Sequence, residues 1–209
     1  MKKRTLTTSS NYHDYPIMTD KDRGLSADKN ILNKIEEQFD YADKSKSKTY
    51  FMRYDVRFPK NFTHADNGLF SSFQAAFIKN LSRQGLKPQY LAVREQSREK
   101  HQHYHVCLWL DGQKTQHIDK HIQTAERLWD AALNLPPREE GYKLIDACTR
   151  DRNGEEQING VMLNKASADY EDKRRECFYR ASYLAKINTK KTPEVNGNYS
   201  RRELRLCKK

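Results

Sequence analysis

Tyr90-Leu-Ala-Val-Arg-Glu95-Gln-Ser-Arg-Glu-Lys100-His-Gln-His103-Tyr-His105-Val-Cys-Leu-Trp-Leu110 holds two alternating apolar runs separated by a polar, charged stretch. Strands place successive side chains on opposite faces, so Tyr90 to Glu95 and His103 to Leu110 read as two strands and residues 96–102 as the turn of an antiparallel hairpin. Tyr104, Val106, Leu108 and Leu110 then point into a core, while His103 and His105 project together on the other face. In that register Glu95 lies opposite His103.

The flanking sequence extends the sheet. Tyr50 to Phe58, stopped by Pro59, carries Tyr50, Met52, Tyr54, Val56 and Phe58 on one face and Phe51, Arg53, Asp55 and Arg57 on the other, which predicts a core face and a strongly charged face. Residues 69–84 read as an amphipathic helix through Leu69, Phe73, Phe77 and Leu81, closed by Gly85 and Pro88. Residues 118–133 read as another, stopped by Pro136-Pro137. Leu144–Cys148 and Val161–Leu163 suggest two short strands around the turn Asp151-Arg-Asn-Gly154, and a last helix is expected from about Asp169 to Asn188. Upstream, Ser26 is a candidate N-cap for a helix bearing Ile31, Leu32, Ile35 and Phe39, followed by a solvated linker at Lys44–Lys48. Helices mixed with hairpin-linked strands predict an α+β fold, a mainly antiparallel sheet with helices packed against it.

Composition bounds the function. The chain has 209 residues, 39 Lys plus Arg against 28 Asp plus Glu, and a formal charge of +11; the mean hydropathy is −1.05. That length suits one domain, expected over residues 26–189, with a basic polar arm at 1–25 and a basic tail at 190–209. No apolar run approaches the roughly 20 residues that span a bilayer, and no apolar stretch follows the basic start, so a cytoplasmic protein with no membrane partner is expected. The four cysteines form no CxxC pair and point to neither a zinc site nor a disulfide framework. No GxxxxGK[ST] stretch is present, which excludes a P-loop ATPase. The positive charge favours a polyanionic partner, nucleic acid first.

Two patterns bear chemistry. His103, His105 and Glu95 can converge as a divalent-metal site with positions open for water and phosphate oxygen; a solvent-facing or hydrogen-bonded histidine pair is the alternative reading. His101 shares the alternation and is either a further imidazole or part of the turn. His117 and His121, one helical turn apart, read as a solvated helix face. On the last helix, Tyr179, Tyr183, Lys186 and Lys190 share a stripe, opposite Cys177, Phe178, Ala181, Leu184 and Ala185. Core packing is the ordinary account of tyrosines at helical spacing, but here a separate small and apolar stripe serves that purpose. A phenol, with an ordinary pKa near 10, is a poor nucleophile at neutral pH; a neighbouring cation and a metal-bound phosphate stabilise the charge that develops when it attacks.

His103-Tyr104-His105 followed by Tyr183-Leu-Ala-Lys186, with Tyr179 completing a YxxxYxxK arrangement, resembles the HUH endonucleases of the rolling-circle replication initiator type, and the strand order fits their RRM-like sheet. Phe51-Met-Arg-Tyr-Asp-Val-Arg57, Tyr90 to His105 and Ala181-Ser-Tyr-Leu-Ala-Lys186 carry a further resemblance to YfjJ-like prophage proteins, related to inovirus-type replication initiators, over residues from about 15 to 190. The resemblance implies site-specific nicking and joining of single-stranded or locally melted origin DNA. His103, His105 and Glu95 would hold Mg²⁺ or Mn²⁺. Tyr183 would form a 5′-phosphotyrosine link, Tyr179 would cut the later junction, and Lys186 would orient phosphate or phenolate. Arg53, Arg57 and Lys190 are the expected DNA contacts, with host helicase and polymerase as partners. The Arg53, Asp55 and Arg57 positions depart from the usual apolar first strand. A catalytically inactive DNA-binding regulator on the same scaffold, and a metal-dependent phosphoesterase without a covalent intermediate, are the competing readings.

Overall fold

The computed structural model describes residues 4–60, 62, 67–97, 100–136, 143–151, 153–188 and 203–206. Three long strands form its centre: β5 (Lys48–Arg57), β6 (Gln89–Ser97) and β7 (Lys100–Asp111). β7 pairs antiparallel with both neighbours, in the registers Asp55↔His105, Arg57↔His103, Val93↔His105 and Glu95↔His103. The expected hairpin is therefore present. Its strands run further than the sequence suggests, pairing as far as Ser97↔Lys100 within the stretch expected as the turn; residues 98–99 lie outside the described residues.

Short strands extend this sheet. β8 (Ile145–Asp146) and β9 (Val161–Asn164) pair with different parts of β5, and β11 (Glu203–Leu206) pairs with β6, giving the order β11-β6-β7-β5-β8. A second sheet joins β1 (Leu6–Thr7), β4 (Leu25–Asp28) and β10 (Lys186–Asn188), and β2 (Asn11–Tyr12) pairs with β3 (Tyr15–Pro16). The helices are α1 (Lys29–Ser45), α2 (Gly68–Arg83), α3 (Asp119–Ala132) and α4 (Tyr170–Ser182), the last continued by a 3-10 turn at Tyr183–Ala185. The fold is α+β and RRM-like, with antiparallel sheets and helices packed against them. No described helix is long and apolar enough to cross a membrane.

Both faces of the central sheet are covered. Tyr50, Met52, Tyr54, Val56, Tyr104, Val106, Leu108 and Leu110 pack against Phe70, Phe73, Phe77 and Leu81 of α2 and against Ile122, Ala125 and Trp129 of α3. On the other face Phe51, Leu91, Val93, Cys107 and Trp109 pack against Leu32, Ile35 and Phe39 of α1 and Cys177, Phe178 and Ala181 of α4. Phe51, Arg53 and Asp55 of the charged face expected on β5 thus lie in an interior layer, where burial forces Arg53 and Asp55 to find partners, while Arg57 at the strand end is exposed. The three cysteines among the described residues are free and buried.

Four local expectations are corrected. Asp28, not Ser26, caps α1, its Oδ1 accepting from Asn30 N at 2.9 Å, because Ser26 is already extended in β4. Lys46 of the expected solvated linker is buried and donates to the Gln89 side chain; burial pushes its ammonium down to about 8. His121 is buried beside the Thr115 hydroxyl, which lies 2.7 Å from its Nε2, and burial lowers its pKa. The last helix stops at Ser182, since Lys186, Ile187 and Asn188 are drawn into pairing with β4.

Residues of the expected N-terminal arm rest on the α1–α4 layer. Tyr12 and Ile17 are buried there, Tyr15 stacks on Phe178 with centroids 4.2 Å apart, and Met18 N donates to Ser182 Oγ at 2.8 Å.

Candidate metal and tyrosine site

Opposed residues of an antiparallel pair share a face, so β5, β6 and β7 present Asp55, Arg57, Glu95, His103 and His105 side by side at one end of the sheet. Glu95, His103 and His105 offer ligand atoms that all lie within 4.8 Å of one another. Glu95 Oε2 stands 3.0 Å from His105 Nε2 and 3.7 Å from His103 Nε2. Neighbouring donors on a six-coordinate cation with bonds of about 2.1 Å are about 3 Å apart; the Glu95–His105 pair has that spacing and the Glu95–His103 pair is wider, so the three donors would draw together to share one face of a cation. A mixed imidazole and carboxylate set suits several divalent first-row cations, Mn²⁺ among them. His101 is part of β7, but its side chain is outside the described residues.

The two histidines are held differently. The His103 side chain is 24% exposed and its ring is perpendicular to that of His105, with centroids 4.8 Å apart. His105 is only 2% exposed. Its Nδ1 faces Asp55 Oδ1 at 2.8 Å, so both ring nitrogens face carboxylates, one on each neighbouring strand. Burial alone would raise the Asp55 pKa; the charges and hydrogen bonds of His105 and Arg53 overcome it and hold the carboxyl well below the usual carboxylate range.

Tyr183 closes the site from the 3-10 turn. Its ring meets His105 edge-on, with centroids 5.0 Å apart at 82°. Arg53 Cζ lies 3.9 Å from the Tyr183 ring centroid and Lys186 Nζ 5.2 Å from it. Of the predicted residues, the structure therefore gathers Glu95, His103, His105, Tyr183, Lys186 and Arg53. Tyr179 is on α4 with its side chain 41% exposed. The stripe expected to align Tyr179 with Tyr183 and Lys186 does not continue as one helix, because the backbone tightens at Tyr183 and is extended from Lys186. Lys190 lies outside the described residues.

Arg57 is exposed and pairs with Asp146 at 2.5 Å, beside His103. Arg53 is buried at 6% exposure and both Asp55 oxygens accept from its Nη2, at 3.2 and 3.3 Å. The buried guanidinium is thus placed between Asp55 and the Tyr183 ring rather than toward solvent, as the expected DNA contact would require. Asp55 was legible only as a departure from an apolar strand; its value depends on pairing opposite His105.

Asn159 is a further residue that the sequence does not single out. Arg53 falls in the gap on β5 between the stretches paired with β8 and β9. The Asn159 side chain fills that gap: Oδ1 accepts from Arg53 N at 2.8 Å, Nδ2 donates to Arg53 O at 2.7 Å, and Nδ2 also donates to Ala147 O. One side-chain amide thus replaces a strand partner. Asn159→Ala leaves part-buried backbone groups unsatisfied and is expected to cost about 3 kcal/mol, measured as a lower denaturant midpoint.

A sequence model of the family described as YagK/YfjJ C-terminal domain matches residues 7–201. No curated protein and no solved structure gives a match.

Proposed function

We propose that this chain, which belongs to the YagK/YfjJ C-terminal domain family, is a metal-dependent DNA nicking and joining enzyme that acts through a covalent tyrosine link, in the manner of rolling-circle initiators of phages and prophages. The observation that carries the reading is the meeting of a two-histidine, one-carboxylate cluster with a single tyrosine, Tyr183, whose ring lies 5.0 Å from that of His105. Bound at Glu95, His103 and His105, Mg²⁺ or Mn²⁺ supplies Lewis-acid polarisation of a phosphate.

The protein's own groups do the rest. Tyr183 Oη attacks the scissile phosphorus, the bond to the 3′ oxygen breaks, the phenol proton passes to water, and the leaving oxygen takes up a proton to become a 3′-OH. Attack by a 3′-OH on the tyrosyl phosphate reverses the exchange, so joining needs no nucleotide cofactor. Lys186 beside the Tyr183 ring and Arg57 beside His103 supply positive charge to the phosphate backbone. Strand separation and extension fall to host helicase and polymerase.

Single-stranded DNA carrying a candidate prophage origin, labelled 3′ to the cut, is expected to become attached to the protein in an SDS-resistant adduct with Mn²⁺, and not with EDTA. DNA binding that persists in EDTA, with no adduct from any candidate origin, would instead establish the regulator reading; metal-dependent cleavage without an adduct would establish the phosphoesterase reading.

A further inference from the structure

The two residues that best couple the metal cluster to the tyrosine are neither ligands nor nucleophiles. Arg53 and Asp55 are buried under the site, where they cannot reach a DNA backbone, and their contacts run in one direction. Asn159 fixes the Arg53 backbone, Arg53 holds Asp55, and Asp55 faces His105, while the same guanidinium lies against the Tyr183 ring. A buried ion pair is weak as a source of stability, because desolvating both charges offsets their attraction. Its placement needs another explanation.

The chemistry of His105 supplies one. A neutral imidazole has one N–H and one lone pair, and only the lone pair binds a metal. An ionised carboxylate only accepts, and one faces each ring nitrogen: Asp55 lies 2.8 Å from Nδ1, and Glu95 pairs with Nε2 at 3.0 Å. A cation held between Glu95 and His105 would need the Nε2 lone pair, and Asp55 is then the acceptor that keeps the remaining proton on Nδ1. Arg53 fixes the carboxylate by reaching both of its oxygens from one nitrogen. The same guanidinium carbon lies 3.9 Å from the centre of the Tyr183 ring, within the range of a cation–π contact.

The geometry points to Arg53 and Asp55 as positioning residues: Asp55 orients His105 for metal binding, and Arg53 sets Asp55 and the Tyr183 ring in one rigid unit, so that nucleophile and metal site are aligned together. This rests on the metal-and-tyrosine reading above and adds to it how the site is preorganised.

The test is Mn²⁺ titration of the full chain followed by electron paramagnetic resonance, with near-ultraviolet circular dichroism as the check on folding. Asp55→Asn is expected to weaken Mn²⁺ binding about 10- to 100-fold. Should the unpaired Arg53 unfold that variant, the double substitution Arg53→Met with Asp55→Asn removes the stranded charge and carries the same expectation. Arg53→Lys keeps a cation beside Asp55 but loses the planar support. It is expected to hold Mn²⁺ within about 3-fold of wild type while forming the DNA adduct at least about 10-fold more slowly at saturating DNA. A folded Asp55→Asn (or double) variant that binds Mn²⁺ as wild type does overturns the role of Asp55, and a Arg53→Lys variant with an unchanged adduct rate overturns that of Arg53. Wild-type protein that binds no Mn²⁺ overturns the underlying metal reading instead, so the two failures are separable.

Discussion

Tyr183→Phe is expected to abolish the covalent protein–DNA adduct, a loss of more than about 10³-fold, while leaving the fold and Mn²⁺ affinity as they are in the wild type. The substitution removes one oxygen. The ring remains edge-on to His105 and beneath the Arg53 guanidinium carbon, so the apolar and cation–π contacts that place it persist. Stability should change by less than about 1 kcal/mol, because the oxygen deleted belongs to a half-buried side chain. Tyr179 separates the chemical from the structural account. It is 41% exposed on α4, one turn earlier, whereas the Tyr183 ring packs against His105. Tyr179→Phe should therefore retain the first nick and lose only later strand transfer. Denaturing gels of both variants with the same labelled strand distinguish the roles; an adduct that survives Tyr183→Phe and vanishes with Tyr179→Phe would reverse them.

How much of this was visible in the sequence follows from which interactions are local. Alternation over Tyr90–Leu110 was enough to set Glu95 opposite His103, since hairpin pairing depends on neighbouring residues and a short turn. The same alternation misread Arg53 and Asp55. Two charges on a strand face look solvated until α1 and α4 cover that face, and their covering comes from residues far apart in the chain. The register that puts Asp55 against His105 is likewise a pairing between β5 and β7 across a helix and a hairpin. At the other end, Tyr183 and Lys186 were recognisable by type and spacing, whereas the turn that aims them was not. Helical periodicity carries through Lys186, but pairing of Lys186, Ile187 and Asn188 with β4 outweighs the local preference. Asn159 was silent for a similar reason: nothing local marks the unpaired gap on β5 that it fills.

The histidine pair gives the second large effect, because the two proposed ligands differ in burial. His103→Ala and His105→Ala should each weaken Mn²⁺ binding by at least about 100-fold, since each removes one of the three donors of the cluster. Their stabilities should part. The His103 side chain is 24% exposed, and its loss in EDTA should cost less than about 1 kcal/mol. His105 fills space between Asp55, Glu95 and Tyr183 at 2% exposure, so its loss leaves a cavity and an Asp55 carboxylate with Arg53 as its remaining charged neighbour of the pair; about 3 kcal/mol is expected. Urea unfolding with and without Mn²⁺ reads both quantities at once. A ligand bound only by the folded chain stabilises it by about 2.7 kcal/mol at a hundred times its dissociation constant, and that increment should appear in wild type and vanish in both variants. If either variant keeps the full increment, that histidine is not a ligand; if wild type shows none, the cluster is held together by protons and carboxylates rather than by a cation.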